Sequence, residues 1–225
     1  MAPAPTPQAC TSCYIRQDLS ILRYKQIELL ETHIMALLIA GLFLFLGMHF
    51  TGILAHGWRQ TMVSKTGPGS WKLLYSVVSL TGLILIIIGY GATRAEPDFL
   101  WAAPVWARHL AMPLTLLAFI LLAATYVPGN RIKARLGHPM LAAVKIWALA
   151  HLLANGTVAD LLLFGSFLVW AIVGFAVLRR RDRQQGVTRT GTAKGDILTV
   201  GAGIAAWAVF AMILHAALIG VSPLP

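Results

Sequence analysis

The sequence predicts an all-α fold, a polytopic integral membrane helical bundle of about six transmembrane helices. Three observations carry this. Hydrophobic residues make up 58% of the 225 residues and charged ones only 12%, where a soluble domain carries about a quarter. The apolar residues also fall in long runs, such as LLLFGSFLVWAIVGFAVL (161–178) and ILTVGAGIAAWAVFAMILHAALIGV (197–221), with the length and composition of a helix crossing hydrocarbon. Most of these runs lack the polar face that a soluble helix keeps.

The elements follow in order along the chain. Residues 1–33 form an N-terminal extension outside the fold, Pro/Ala-rich at first and then weakly amphipathic. Its Cys10 and Cys13 make a lone CxxC without the further ligands that zinc needs, so both are read as incidental. No cleavable signal is visible, because the first apolar run comes late and is long. The membrane domain covers 34–221. Span 1 runs 34–55 and contains His49; HGWRQTMVSKTGPGS (56–70) reads as a loop broken by Gly67-Pro68-Gly69. Span 2 runs 71–91, and the loop TRAEPDFLWAAPVWAR (93–108) carries Trp101 and Trp106, which suit an interfacial aromatic belt. Span 3 runs 108–127 and stops before Pro128-Gly129-Asn130, with RIKARLG (131–137) as a basic strip. Span 4 opens at His138-Pro139, where a first-turn proline loses no hydrogen bond. It closes on Asn155-Gly156, a helix stop. Span 5 runs 157–178, an arginine-rich loop follows, and span 6 runs 197–220.

The net charge of +10 does not point to nucleic acid, because Lys and Arg sit between the spans. The loops opposite the N-terminus hold twelve of the 18, from Arg59 to Lys72, Arg131 to Arg135 and Arg179 to Lys194. Five lie on the N-terminal side: Arg16, Arg23, Lys25, Arg94 and Arg108. The positive-inside rule then makes the twelve-charge side cytoplasmic and places both termini outside.

Span 4, HPMLAAVKIWALAHLLANG (138–156), holds the chemistry. It carries His138, Lys145 and His151 in an apolar setting, and ionisable groups inside a membrane usually have a task. No metalloprotease, calcium-loop or phosphate-loop motif occurs, nor a buried carboxylate pair for acid–base hydrolysis or di-metal chemistry. Histidine remains, and neutral imidazoles in an apolar bundle suit haem iron. His138 and His151 point about 220° apart and lie about 20 Å apart along the helix, so they cannot clamp one iron. Ala148 and Ala154 flank His151 at three residues, leaving space for a flat macrocycle, and Trp147 lies one turn earlier. His49 has a similar setting with Gly52 and Phe45. A histidine satisfied by a neighbouring helix is the competing reading for each. Lys145 either snorkels to the surface or meets an acidic group such as a propionate. Depth counting pairs His151 with His109 or His215, and His49 with His138.

The stretches FLFLGMHFTGILAHGWR (43–59), GSWKLLYSVVSLTGLILIIIGYG (69–91) and WARHLAMPLTLLAFILLAATYVPGNRIKARLGHPMLAAVKIWALAHLLANGTVADLLLFGSF (106–167) resemble the NnrU family. The resemblance covers about residues 34–183. That family comprises membrane proteins associated with nitrite and nitric oxide reduction in bacteria, and includes the 15-cis-zeta-carotene isomerases of plants and cyanobacteria. The resemblance implies heme b, with ligands at the positions of His49 and His151, the pair that depth counting does not select. Where the isomerases carry a cysteine three residues before the second ligand, this chain has Ala148. Where they carry a further histidine in the next helix, it has Trp170. The text is closer to the bacterial branch, which implies the bacterial inner membrane.

The expected function is a haem b-binding membrane protein of nitrogen-oxide metabolism, acting in electron transfer, sensing or assembly. Its iron ligands are His49 and His151, with His109, His138 and His215 as runners-up and Trp147, Ala148 and Gly52 lining the cofactor. A haem-dependent cis–trans isomerase acting on a lipophilic polyene is the alternative. A membrane methyltransferase is the third reading, suggested by His138-Pro139 after a basic strip but lacking the rest of that motif. Membrane lipid, with either a lipophilic polyene or a redox partner, and no nucleic acid, are the expected partners.

Overall fold

The computed structural model describes residues 32–223. The extension to residue 31, with Cys10 and Cys13, lies outside the described residues. Among the described residues eight helices follow in order: α1 (Thr32–Ile53), α2 (His56–Thr66), α3 (Pro68–Thr93), α4 (Val105–Tyr126), α5 (Arg131–Leu136), α6 (Pro139–Ala154), α7 (Val158–Gln184) and α8 (Ala193–Ile219). Five of them, α1, α3, α4, α7 and α8, are long and apolar enough to cross a membrane. The helical-bundle expectation holds, with one difference. The 16 residues of α6 rise only about 24 Å, short of a ~30 Å hydrocarbon core. The breakers at Gly137-His138-Pro139 and Asn155-Gly156 fix that length.

α1 lies antiparallel to α3 at backbone contact. A Cβ on Gly41 would stand 2.7 Å from Ile86 N, one on Gly82 2.7 Å from Phe45 N, and one on Gly89 2.6 Å from Leu38 N. Small residues let helix backbones meet where lipid offers no hydrophobic drive for association. Around this pair α7 packs on α3 and α6, while α6 and α8 both pack on α4. The core joins Leu38, Leu42 and Leu46 of α1 with Ile86 of α3, Ala148 of α6, and Leu163 and Phe164 of α7. Gly89→Val is expected to force α1 and α3 apart and to cost about 3 kcal/mol. Gly91, whose Cβ would meet nothing within 4 Å, supplies the control. A lowered thermal midpoint for Gly89→Val but not for Gly91→Ala is the expected result; equal midpoints would refute the contact.

Three polar stretches read as loops or strips are helical. α2 replaces the expected 56–70 loop, because the breaker sits at Gly67-Pro68 and not at its start; Gly67 has φ +83° and Pro68 opens α3. α5 replaces the basic strip. Its Asn130 cap accepts from Lys133 N at 2.6 Å and donates to Ala124 O and Val127 O, tying the end of α4 to the start of α5. α7 runs on through the arginines to Gln184. There Arg179 donates to Arg135 O and Leu136 O, and Arg181 to Ile53 O. These guanidiniums satisfy terminal carbonyls of α5 and α1, where cations are favoured. Charge ends the apolar run without ending the helix. α8 likewise begins at Ala193 rather than 197, capped by Thr192.

Candidate functional site

The end of α6 is built by its own sequence. Asn155 leaves the helix in extended backbone; its N–H and its Nδ2 both donate to His151 O at 2.9 Å. Gly156 then presents its carbonyl to Leu100 N at 2.8 Å and Trp101 N at 3.2 Å, while Val158 N donates to Asp98 O at 3.0 Å. A Cβ at Gly156 would collide with the carbonyl oxygen of Trp101 and stand 2.9 Å from its ring. The Asn-Gly stop therefore docks the loop 97–103 across the end of the bundle. Irregular backbone next to hydrocarbon is tolerated only when hydrogen-bonded or lining a cavity, and this segment is hydrogen-bonded and lines one.

Beneath the loop is a cavity of about 760 Å³, within the range of small-molecule and cofactor pockets. Its walls come from the end of α3 (Tyr90, Thr93, Arg94), from α4 (Arg108, Met112, Thr115, Phe119), from α6 (Trp147, Ala150, His151, Ala154) and from α8 (Trp207, Phe210, Ala211, His215). Thr157 and Asp160 close one side through a reciprocal cap at the start of α7. The Asp160 carboxylate is buried and accepts from Tyr90 OH at 2.7 Å, Thr157 OH at 2.6 Å and Thr157 N at 3.0 Å. Arg94 donates to Ile219 O, which ties α3 to the end of α8.

His151 stands on the α6 wall. Its Nδ1 lies 2.8 Å from Trp147 O, a contact only a protonated Nδ1 can make, so the tautomer assigned leaves the lone pair on Nε2. Its ring stacks on Phe164 at 4.6 Å and tilts against Trp147 at 5.1 Å. Trp147 and Ala154 line the cavity, whereas Ala148 is fully buried in the α1/α3/α7 core and Ala150 stands on the wall instead.

His49 repeats the tautomer, with Nδ1 donating to Phe45 O at 2.6 Å. It occupies a different place. Its ring lies between Phe45 (4.2 Å), Tyr75 (5.3 Å) and Trp170 (6.0 Å), and it does not line the cavity. His151 sits level with Phe164 of α7 and His49 level with Trp170, six residues or about 9 Å further along the helix. The rings of Phe45, Phe167 and Trp147 connect the two sites. Among the described residues, a Cβ at Gly52 would meet nothing within 4 Å.

Of the runners-up, His215 lines the cavity with His151. His109 is exposed at the start of α4. His138 caps the far end of α6, with Nε2 3.0 Å from Asp182 Oδ2 but off the hydrogen-bond direction; Arg189 pairs with the same oxygen at 2.7 Å. Lys145 lies over the Phe175 ring at 3.7 Å, a cation–π contact away from the cavity. Sequence reading missed Arg94, Arg108, Tyr90 and Asp160. Thr157-x-x-Asp160 is a visible capping pattern, whereas the two arginines carried only an orientation signal.

A model of the NnrU protein family matches residues 37–223. The chain belongs to the NnrU family. The match includes every cavity residue and excludes the first 36. Comparisons with curated proteins and with solved structures find no match.

Proposed function

We propose that this NnrU-family chain is a haem b-binding membrane protein whose iron is held by His151 in the cavity under the 97–103 loop. One observation carries the reading: an imidazole whose Nδ1 donates to a backbone carbonyl, leaving the lone pair on Nε2, lines a mainly apolar cavity of cofactor size. A backbone carbonyl on the other ring nitrogen is the usual outer-shell partner of an iron-ligating histidine. Arg94 and Arg108 suit the two propionates, since guanidinium pairs well with carboxylate. Trp147, Phe119 and Trp207 supply flat apolar walls, and the docked loop covers one side. Bound haem would supply one-electron exchange. That chemistry suits a redox or sensing role in nitrite and nitric oxide reduction, the setting the family resemblance implies. The resemblance also assigns a ligand to His49, which from its place beside Trp170 would need the intervening aromatic rings to move.

The size and apolar walls of the cavity also favour a second reading, cis–trans isomerisation of a lipophilic polyene; Ala148 and Trp170 depart from that branch. Expression in cells accumulating poly-cis carotenes separates the two, an altered pigment profile favouring the isomerase. For the main reading, the purified protein is expected to show a Soret band that shifts on reduction. A colourless folded protein from haem-replete cells would sink it. The charge distribution supports an inner-membrane protein with the 97–103 loop and both termini periplasmic. A reporter fused after Pro225 is expected to be active only in its periplasmic form, and cytoplasmic activity would reverse the orientation.

A further inference from the structure

We infer that His215 is the second axial ligand of the same iron, reaching it from α8 across the cavity from His151. This rests on the haem reading and adds to it a ligand that the family resemblance does not supply.

The first support is the path of α8. Trp207, Ala211 and His215 form one stripe along the cavity wall. In an uninterrupted α-helix, seven residues make nearly two turns, so Leu214 would stand over Trp207. The helix instead widens to a π turn over Phe210–Leu214. The added residue hands that place to His215 and turns Leu214 outward, where it is 39% exposed. Widened turns of this kind are rare and frequent at functional sites.

The second support is the state of the ring. His215 Nδ1 donates to Val221 O at 2.6 Å, a contact made possible because the chain reverses at Gly220 with φ +77°. As in His151, the proton is held on Nδ1 and Nε2 is left with its lone pair. Among the described residues neither Nε2 makes a hydrogen bond. The reversal is itself held in place, since Arg94 of α3 donates to Ile219 O. Two imidazoles fixed in the ligating tautomer thus line one cavity from two helices that both pack on α4. The other histidines lack this arrangement. His49 lies about 9 Å deeper behind Phe167 and Trp147. His138 is beside Asp182 at the far end, and His109 is exposed off the cavity wall.

The test is spectroscopic, on full-length protein purified with haem in detergent. The wild type is expected to be six-coordinate and low-spin. His215→Ala should keep its haem through His151 but become five-coordinate and high-spin, and added imidazole should restore the low-spin spectrum. His49→Ala should leave the spectrum unchanged. A low-spin spectrum in His215→Ala, or a high-spin one in His49→Ala, overturns the assignment. If His215→Ala does not fold, His215→Met replaces it: His/Met ligation should raise the reduction potential above that of the bis-imidazole form, and an unaltered potential and spectrum overturns the assignment. A colourless wild type rejects the haem reading itself, a result distinct from a coloured protein indifferent to His215.

Discussion

Gly156→Val is expected to unseat the loop that roofs the cavity. Any side chain here collides with the backbone of Trp101, and the added Cβ stands 2.9 Å from the Trp101 ring. Neither neighbour can yield easily, because Trp101 is held by the hydrogen bond from its own N–H to Gly156 O. Moving the loop breaks that bond with those of Leu100 N and Val158 N. Each contributes about 1 kcal/mol net, so a destabilisation of about 3 kcal/mol follows. The figure rises where the freed groups face hydrocarbon rather than water. A lower thermal midpoint and new protease cleavage between residues 97 and 103 are the expected readouts. Unchanged proteolysis in a folded Gly156→Val protein would show that the loop does not depend on this contact.

His151→Ala is expected to remove haem from the purified protein almost completely, while His49→Ala retains it. The asymmetry follows from position: only His151 of this pair lines the cavity. The fold should survive, because Phe164, on which the ring stacks, also packs against Trp147 and Tyr90. Truncation of a partly buried ring costs stability, so the thermal midpoint of the haem-free variant must be measured beside its haem content. Equal haem in wild type and His151→Ala would refute the assignment. Loss in His49→Ala with retention in His151→Ala would move the site to α1.

The spans were legible because a hydrocarbon environment leaves long apolar runs, and the breakers that end them are local. The polar helices were not. α2, α5 and the last turns of α7 hold charges that an apolar-run reading takes as loop, although Arg179 and Arg181 are helical residues capping other helices. Part of the site could be read by counting depth. Rise per residue alone separated His49 from His151 and grouped His151 with His215, as the packing does. Counting could not place His109, which shares that depth but is exposed, because facing depends on helix rotation. The π turn that precedes His215 leaves no periodic trace in FAMIL (210–214). Gly156 was legible as a stop, but its role as a docking surface required knowing what passes over it.

The most direct measurement is a titration of haem-free protein with haemin, followed together by Soret absorption and tryptophan fluorescence. Trp101, Trp147 and Trp207 all line the cavity. Saturation at one haem per chain, with fluorescence quenched in step, is the expected outcome. A linear, unsaturable rise matching that of empty detergent micelles, with fluorescence unaffected, would contradict a haem site in this cavity.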